Sequence, residues 1–116
     1  MTALHNISGK AAEDEVVQYL KKHGFKILDQ NWKTKWCEVD IVALKDQTMH
    51  FVEVKYRNSS GQGGGFDYIT SKKLQKMNLA AKSWVEINGW SGEYTLSAAE
   101  VSGDNFEIFF LEDVSG

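Results

Sequence analysis

The 116-residue sequence has no proline, a single cysteine and one arginine, and no basic residue after Lys82. Without proline, an internal repeat or a low-complexity linker, nothing divides it, and its length suits one domain over residues 1–116. A lone cysteine, Cys37, excludes an internal disulfide and a cysteine-rich zinc cluster, and it points to a reducing, cytoplasmic setting. No apolar run approaches the roughly 20 residues that span a bilayer, so no membrane association is expected. Met1 to His5 lacks the basic flank and apolar stretch of a signal peptide. What is present, 42% hydrophobic and 25% charged residues, is the composition of an ordinary folded chain.

The net charge of −3 hides an asymmetry. All 13 basic residues lie in residues 1–82, which carry nine acidic ones, whereas residues 83–116 carry seven acidic residues and no basic one. Such a split marks either a face turned to a polyanion or a solubilising acidic edge.

Hydrophobic spacing sets the order of elements. Ala12, Val16, Tyr19 and Leu20 recur at helical intervals, with Asn6 or Ser8 as caps and Gly24 as a stop. Phe25 to Leu28 reads as a short strand and Asn31 to Lys35 as a polar connection. Cys37 to Leu44 and Met49 to Arg57 alternate as two strands joined through Lys45–Thr48, a connection short enough to force a hairpin. On the first of these, Val39, Ile41 and Ala43 take one side and Glu38, Asp40, Val42 and Leu44 the other. Residues 58–68, with Gly63-Gly64-Gly65, read as a flexible loop. A second helix spans about Thr70 to Ile87, capped by Thr70 and ended by Asn88-Gly89. Tyr94 to Val101 and Phe106 to Leu111 form a closing hairpin. The order α-β-β-β-α-β-β predicts an α/β fold, a mixed sheet flanked by helices.

The middle hairpin carries the chemistry. A two-residue or a four-residue turn puts Asp40 opposite Glu53 and Glu38 opposite Lys55, with Cβ atoms about 4.5–5.5 Å apart. Carboxylates that close repel unless a cation sits between them or one is protonated. Asp40 also interrupts an apolar run in which an unpaired carboxylate is costly. A site for Mg²⁺ (or Mn²⁺) satisfies both constraints, because Mg²⁺ takes one or two carboxylates and keeps several waters. Lys55 projects to the same side and is placed to hold a metal-bound water or to offset charge on a phosphate. Glu13, on the first helix, is a further ligand or orienting group. Taken singly each has a plain structural account: Val-Glu-Val-Lys is a common solvated strand pattern, and Glu13-Asp14-Glu15 suits a helix start. Arg57 continues the face of Glu53 and Lys55, and Lys33, Lys35, Lys72, Lys73 and Lys76 surround it as phosphate contacts. His5, His23 and His50 are scattered, and the glycine loop lacks the Gly-Lys-Ser/Thr ending of a P-loop. Cys37 and the four tryptophans read as packing residues.

Together these motifs resemble the PD-(D/E)XK nuclease superfamily with its restriction-endonuclease-like fold, and more closely the small bacterial family typified by YraN, similar to Holliday-junction resolvases. The resemblance rests on Gly9 to Glu13, Tyr19-Leu20, Gly24-Phe25, Asn31-Trp32, Glu38 to Ala43, Phe51 to Arg57 and Ile69-Thr70 leading to Lys73. It implies Asp40 and Glu53 as metal-binding acids, Lys55 as the catalytic lysine, Glu13 as a helix-borne acid and the Val54 carbonyl as a further ligand. The implied activity is Mg²⁺-dependent hydrolysis of phosphodiester bonds in DNA, branched or structured, by a possible homodimer. The sequence departs from the family at Cys37, at Tyr56 and in its C-terminal strand. The alternative from another class is a catalytically silent nucleic-acid-binding or adaptor protein that keeps the fold. The acidic C-terminal portion is expected to lie away from the substrate.

Overall fold

The computed structural model describes residues 9–57, 66, 68–103 and 106–115. The order is α1 (Gly9–Lys22), β1 (Lys26–Lys33), β2 (Glu38–Lys45), β3 (Thr48–Arg57), α2 (Ser71–Asn88), β4 (Glu93–Ser102) and β5 (Glu107–Leu111). The expected α/β succession is therefore present. The strands form one mixed sheet in sequential order, antiparallel throughout except that β4 runs parallel to β3. The α2 crossover makes that parallel step possible, since a tight turn cannot return a strand in the same direction.

Each helix covers one face. Ala12, Val16, Val17 and Leu20 of α1 pack against Ile41, Ala43, Val52, Ala99 and Val101. Met77, Ala80, Ala81 and Trp84 of α2 pack against Val42, Met49, Phe51 and Leu96. Alternation along β2 and β3 sends neighbours to opposite helices, so both faces of the central strands are dry. His50 belongs to this interior, 5% exposed, with Nδ1 3.1 Å from Ser97 Oγ. Burial pushes its pKa down, which makes it a neutral core histidine.

Helix ends follow the local chemistry. The Thr70 side chain accepts from Lys73 N–H at the start of α2, and Gly89 ends the helix at φ 69°. That left-handed conformation suits a residue without Cβ. Gly24 stops α1 at φ 89°. The Asn6 and Ser8 caps and the glycine-rich loop fall outside the described residues, Phe66 and Tyr68 apart. No helix among the described residues is long and apolar enough to cross a membrane.

Two expectations need correction. The polar connection from Asn31 is largely strand: β1 continues to Lys33, with Trp32 opposite Val39 and Lys33 opposite Glu38. Pairing with β2 overrides the polar composition, as it commonly does for an edge strand. Val39 packs with Val42 on the α2 side and not with Ile41. The pairing of β2 with β3 ends at Ile41 opposite Val52, and on the β1 side Asn31, at φ 51°, interrupts the extended backbone between the Gln30–Ile41 and Trp32–Val39 pairs, so alternation does not carry across Asp40.

The β2–β3 turn is the two-residue kind, with Asp46 at φ 51° and Gln47 at φ 67°. Both are left-handed, the type I′ geometry that matches strand twist. A glutamine held there is strained by about 1 kcal/mol relative to glycine. Gln47→Gly should therefore raise unfolding free energy by about 1 kcal/mol in urea titrations. A loss of stability would show that the side chain makes a compensating contact.

Candidate active site

The site forms where β2 and β3 part. Beyond Ile41 and Val52 the Val54 N–H donates to Asp40 Oδ2 at 2.8 Å, so a carboxylate takes the place of a backbone acceptor. The sheet opens there without orphaning a buried N–H. The expected hairpin register holds from Lys45 opposite Thr48 to Ile41 opposite Val52 and stops there, so the expected Asp40–Glu53 and Glu38–Lys55 pairs are not part of the ladder.

Asp40 is the electrostatic centre. Burial pushes its carboxyl up to about 7, and the charges of Glu53, Glu13 and Glu38 push in the same direction, while the Val54 N–H opposes them. The other three acids nominated from the sequence therefore act on this one position. Glu13 reaches it from α1 and is 5% exposed, with its Oε1 accepting from Asn31 Nδ2 at 2.6 Å. Burial raises the Glu13 pKa, and hydrogen bonds from Asn31 and Gln30 hold it back. Glu53 approaches from the α2 side and pairs with Lys73, Nζ to Oε2 2.8 Å.

The remaining nominated residues are spread around this centre. Lys55 is exposed, with Nζ 5.9 Å from the centre of the Tyr68 ring, and Arg57 lies 5.8 Å from the same ring. Glu38 and Lys55 form no ion pair among the described residues. Lys72 and Lys73 open α2 and Lys76 follows one turn later; Lys33 ends β1 and Lys35 lies in the turn after it. Lys73 and Lys76 share with Glu38 and Glu53 a cleft of about 410 Å³. A larger hollow of about 670 Å³, lined by Asp46, Trp90 and Glu93 among others, holds no lysine and none of these acids.

The acidic C-terminal portion is not wholly remote. Parallel pairing sets Glu100 beside Lys55, and its carboxylate accepts from Arg57 Nε. Glu100 is 5% exposed, so this is an interior ion pair and not a solubilising surface charge. Its arrival depends on the long-range β3–β4 register, for which residues 93–102 carry no local signal.

Sequence reasoning also missed Tyr68, Asn31 and Gln30. Asn31 gives one signal: it sits at φ 51° within β1, a conformation asparagine tolerates better than most residues. The Tyr68 hydroxyl is buried and has no hydrogen-bond partner among the described residues. Burial and the charges of Glu53, Glu100 and Asp40 raise its pKa, against Arg57.

The acids form no ready cage. Among the described residues no three His, Cys, Asp or Glu side chains stand together as metal ligands. Mg²⁺ does not require one, because it binds through one or two carboxylates and retains waters. The chemistry of the set, hard oxygens with excess negative charge around a half-buried Asp40, fits such an ion.

Two outcomes are expected of stability. Between about pH 4 and 7 the folded chain holds more protons than the unfolded chain at Asp40, so without metal this residue's contribution to stability declines as pH rises through about 7. Asp40→Asn should remove that slope, gaining on the parent by on the order of a few kcal/mol from pH 4 to pH 8 in chelator. A difference that stays flat across pH would contradict it. Tyr68→Phe deletes an unsatisfied hydroxyl and should be neutral or stabilising by up to about 1 kcal/mol. A clear drop in melting temperature would reveal a partner for that oxygen.

Comparison with known proteins places the chain in a family. Uncharacterised protein family UPF0102 matches residues 12–109. A UPF0102 protein of Sulfurihydrogenibium sp. (strain YO3AOP1) is 37% identical over 106 residues, covering 90% of each chain. One from Flavobacterium johnsoniae is 34% identical over 117 aligned positions, covering 96% of this chain and 95% of its own. One from Pseudomonas putida (strain KT2440) is 38% identical over 87 residues, covering 75% of this chain and 70% of its own. The chain thus belongs to the uncharacterised protein family UPF0102.

Proposed function

We propose that this protein is a Mg²⁺- or Mn²⁺-dependent endonuclease that hydrolyses phosphodiester bonds in DNA, with branched or otherwise structured DNA as its substrate. The observation that carries the reading is Asp40, a carboxyl pushed up to about 7 at a strand fork, on which Glu53, Glu13 and Glu38 all act. A fold gains nothing in stability from such a gathering of like charges, and a divalent cation would relieve it.

Asp40, Glu53 and the Val54 carbonyl would hold the ion, with Glu13 as a further ligand or orienting group. The ion, when bound, supplies Lewis-acid stabilisation and lowers the pKa of water. The chain's own groups do the rest. The Val54 N–H fixes the Asp40 carboxylate, and Asn31 with Gln30 orients Glu13. Lys55, two residues after Glu53 and exposed, offsets charge that builds on the phosphate. Lys72 and Lys73 occupy the first turn of α2, where the helix dipole disfavours cations and favours anions. They suit phosphate contact, as do Lys33, Lys35 and Lys76. Arg57 keeps that role only by sharing its guanidinium between phosphate and Glu100.

A second reading, a nucleic-acid-binding adaptor without turnover, draws support from Lys73, whose ammonium already neutralises Glu53. Cleavage of branched, single-stranded and duplex DNA with Mg²⁺ or Mn²⁺ separates the two. Asp40→Asn and Lys55→Ala should each lower the rate by at least about 100-fold. Turnover that survives both substitutions removes these residues from the site, and binding without cleavage under every condition favours the adaptor. Mn²⁺ should also raise the melting temperature of the parent and leave Asp40→Asn unmoved.

A further inference from the structure

Of the four tryptophans, Trp84 is buried and Trp32 and Trp90 are half-buried, but Trp36 is 80% exposed. It stands in the turn between β1 and β2, where its backbone N–H donates to Thr34 Oγ1 at 3.0 Å. Thr34 also accepts from Cys37 N–H, and Thr34 N–H donates to the Cys37 carbonyl at 2.8 Å. The turn is thus tied down, while the indole it carries packs on little of its own chain. The Lys35 ammonium lies 5.5 Å from the ring centre.

Trp36 lines the cleft that holds Glu38 and Glu53, two of the acids that act on Asp40. Leu79 of α2, 54% exposed, lines the same cleft, with Lys73, Lys76, Glu38 and Glu53 between them. At about 410 Å³ the cleft falls within the range of small-ligand sites. A flat aromatic wall, an aliphatic neighbour and two lysines suit a group that is itself flat, apolar on its faces and tethered to phosphate. Base stacking on aromatic side chains is the common device for holding an unpaired nucleotide, whereas paired bases keep their faces inside the duplex.

We infer that Trp36 is a stacking platform for an unpaired base, and that the substrate therefore presents a single-stranded nucleotide beside the acid centre. The inference rests on the nucleic-acid reading above and narrows it to substrates with an unpaired segment. Lys73 and Lys76 in the cleft, with Lys35 beside the Trp36 ring, favour a polyanion over an apolar protein surface.

The test is fluorescence anisotropy of the full chain in chelator with labelled oligo(dT) and with a blunt duplex, so that no cleavage intervenes. Trp36→Ala should weaken oligo(dT) binding on the order of tenfold and duplex binding less than twofold, and Trp36→Phe should retain most of the affinity. The salt dependence of binding should stay unchanged in Trp36→Ala, because stacking releases no counterions. Equal affinity of parent and Trp36→Ala for oligo(dT), equal losses on both DNAs, or no binding of oligo(dT) by the parent would overturn the inference. Self-association of the parent that disappears in Trp36→Ala would also overturn it, giving the patch to a second copy of the chain. The assay needs no turnover, so a chain that binds through Trp36 yet cleaves nothing would keep this inference while the nuclease reading fell.

Discussion

The hydrogen bond from Val54 N–H to Asp40 Oδ2 is the constraint on which the site depends. A strand leaving its neighbour ordinarily strands backbone donors, and a buried donor without a partner is costly. Here the departing strand leaves a carboxylate behind as the acceptor. The β2–β3 ladder therefore stops at Ile41 and Val52 without penalty to β3, which continues its pairing with β4 up to Arg57. The gap exposes Asp40 to both layers. Glu13 acts on it from α1, which covers one face, and Glu53 from the side covered by α2.

Charges so placed need partners, and the fold supplies them unevenly. Glu53 has Lys73, Glu100 has Arg57, and Glu13 has the amides of Asn31 and Gln30 with the charge of Lys10 as a lesser influence. Asp40 has a single backbone N–H and, among the described residues, no cation as a partner. The pairs at the edge of the site are neutral in sum while its centre is not. Dividing the chain into a basic and an acidic portion misses this, because Glu100 comes from the acidic portion and closes against Arg57 from the basic one.

Legibility in the sequence followed the range of the interaction. The hairpin register was readable because alternation in Val39 to Leu44 and in Met49 to Arg57 leaves few pairings, and a two-residue turn selects one. The Thr70 cap and the Gly89 stop were equally local. Extension of β1 through Asn31 and Trp32 was not readable, since a polar edge strand owes its conformation to the ladder beside it. The face of Val39 departs from alternation because the β2–β3 ladder stops at Ile41 and Asn31 of β1 leaves the extended conformation, neither of which the hydrophobic pattern encodes. Glu100, Tyr68 and the exposure of Trp36 depend on where α2 returns the chain, which no window of sequence encodes. For the site, the sequence nominates Asp40, Glu53, Glu13 and Glu38, whose charges meet at Asp40, but it is silent on which cation faces which acid.

That last arrangement bears on how an acid centre could meet a polyanion. On the nuclease reading, a phosphate approaching Glu53 would meet Lys73 and Lys76, which share its cleft, charges that act without regard to base sequence. Further in, the field reverses at Asp40, and a phosphate gains by proceeding only if the negative charge is neutralised. Lys73 neutralises Glu53 alone, and protonation neutralises Asp40 only up to about pH 7. Above that pH, on the nuclease reading, the remaining neutralising agent is a divalent cation. Entry of the scissile phosphate then becomes coupled to the ion that would activate its hydrolysis, and lysine contacts at the rim cannot by themselves bring a phosphate to the centre.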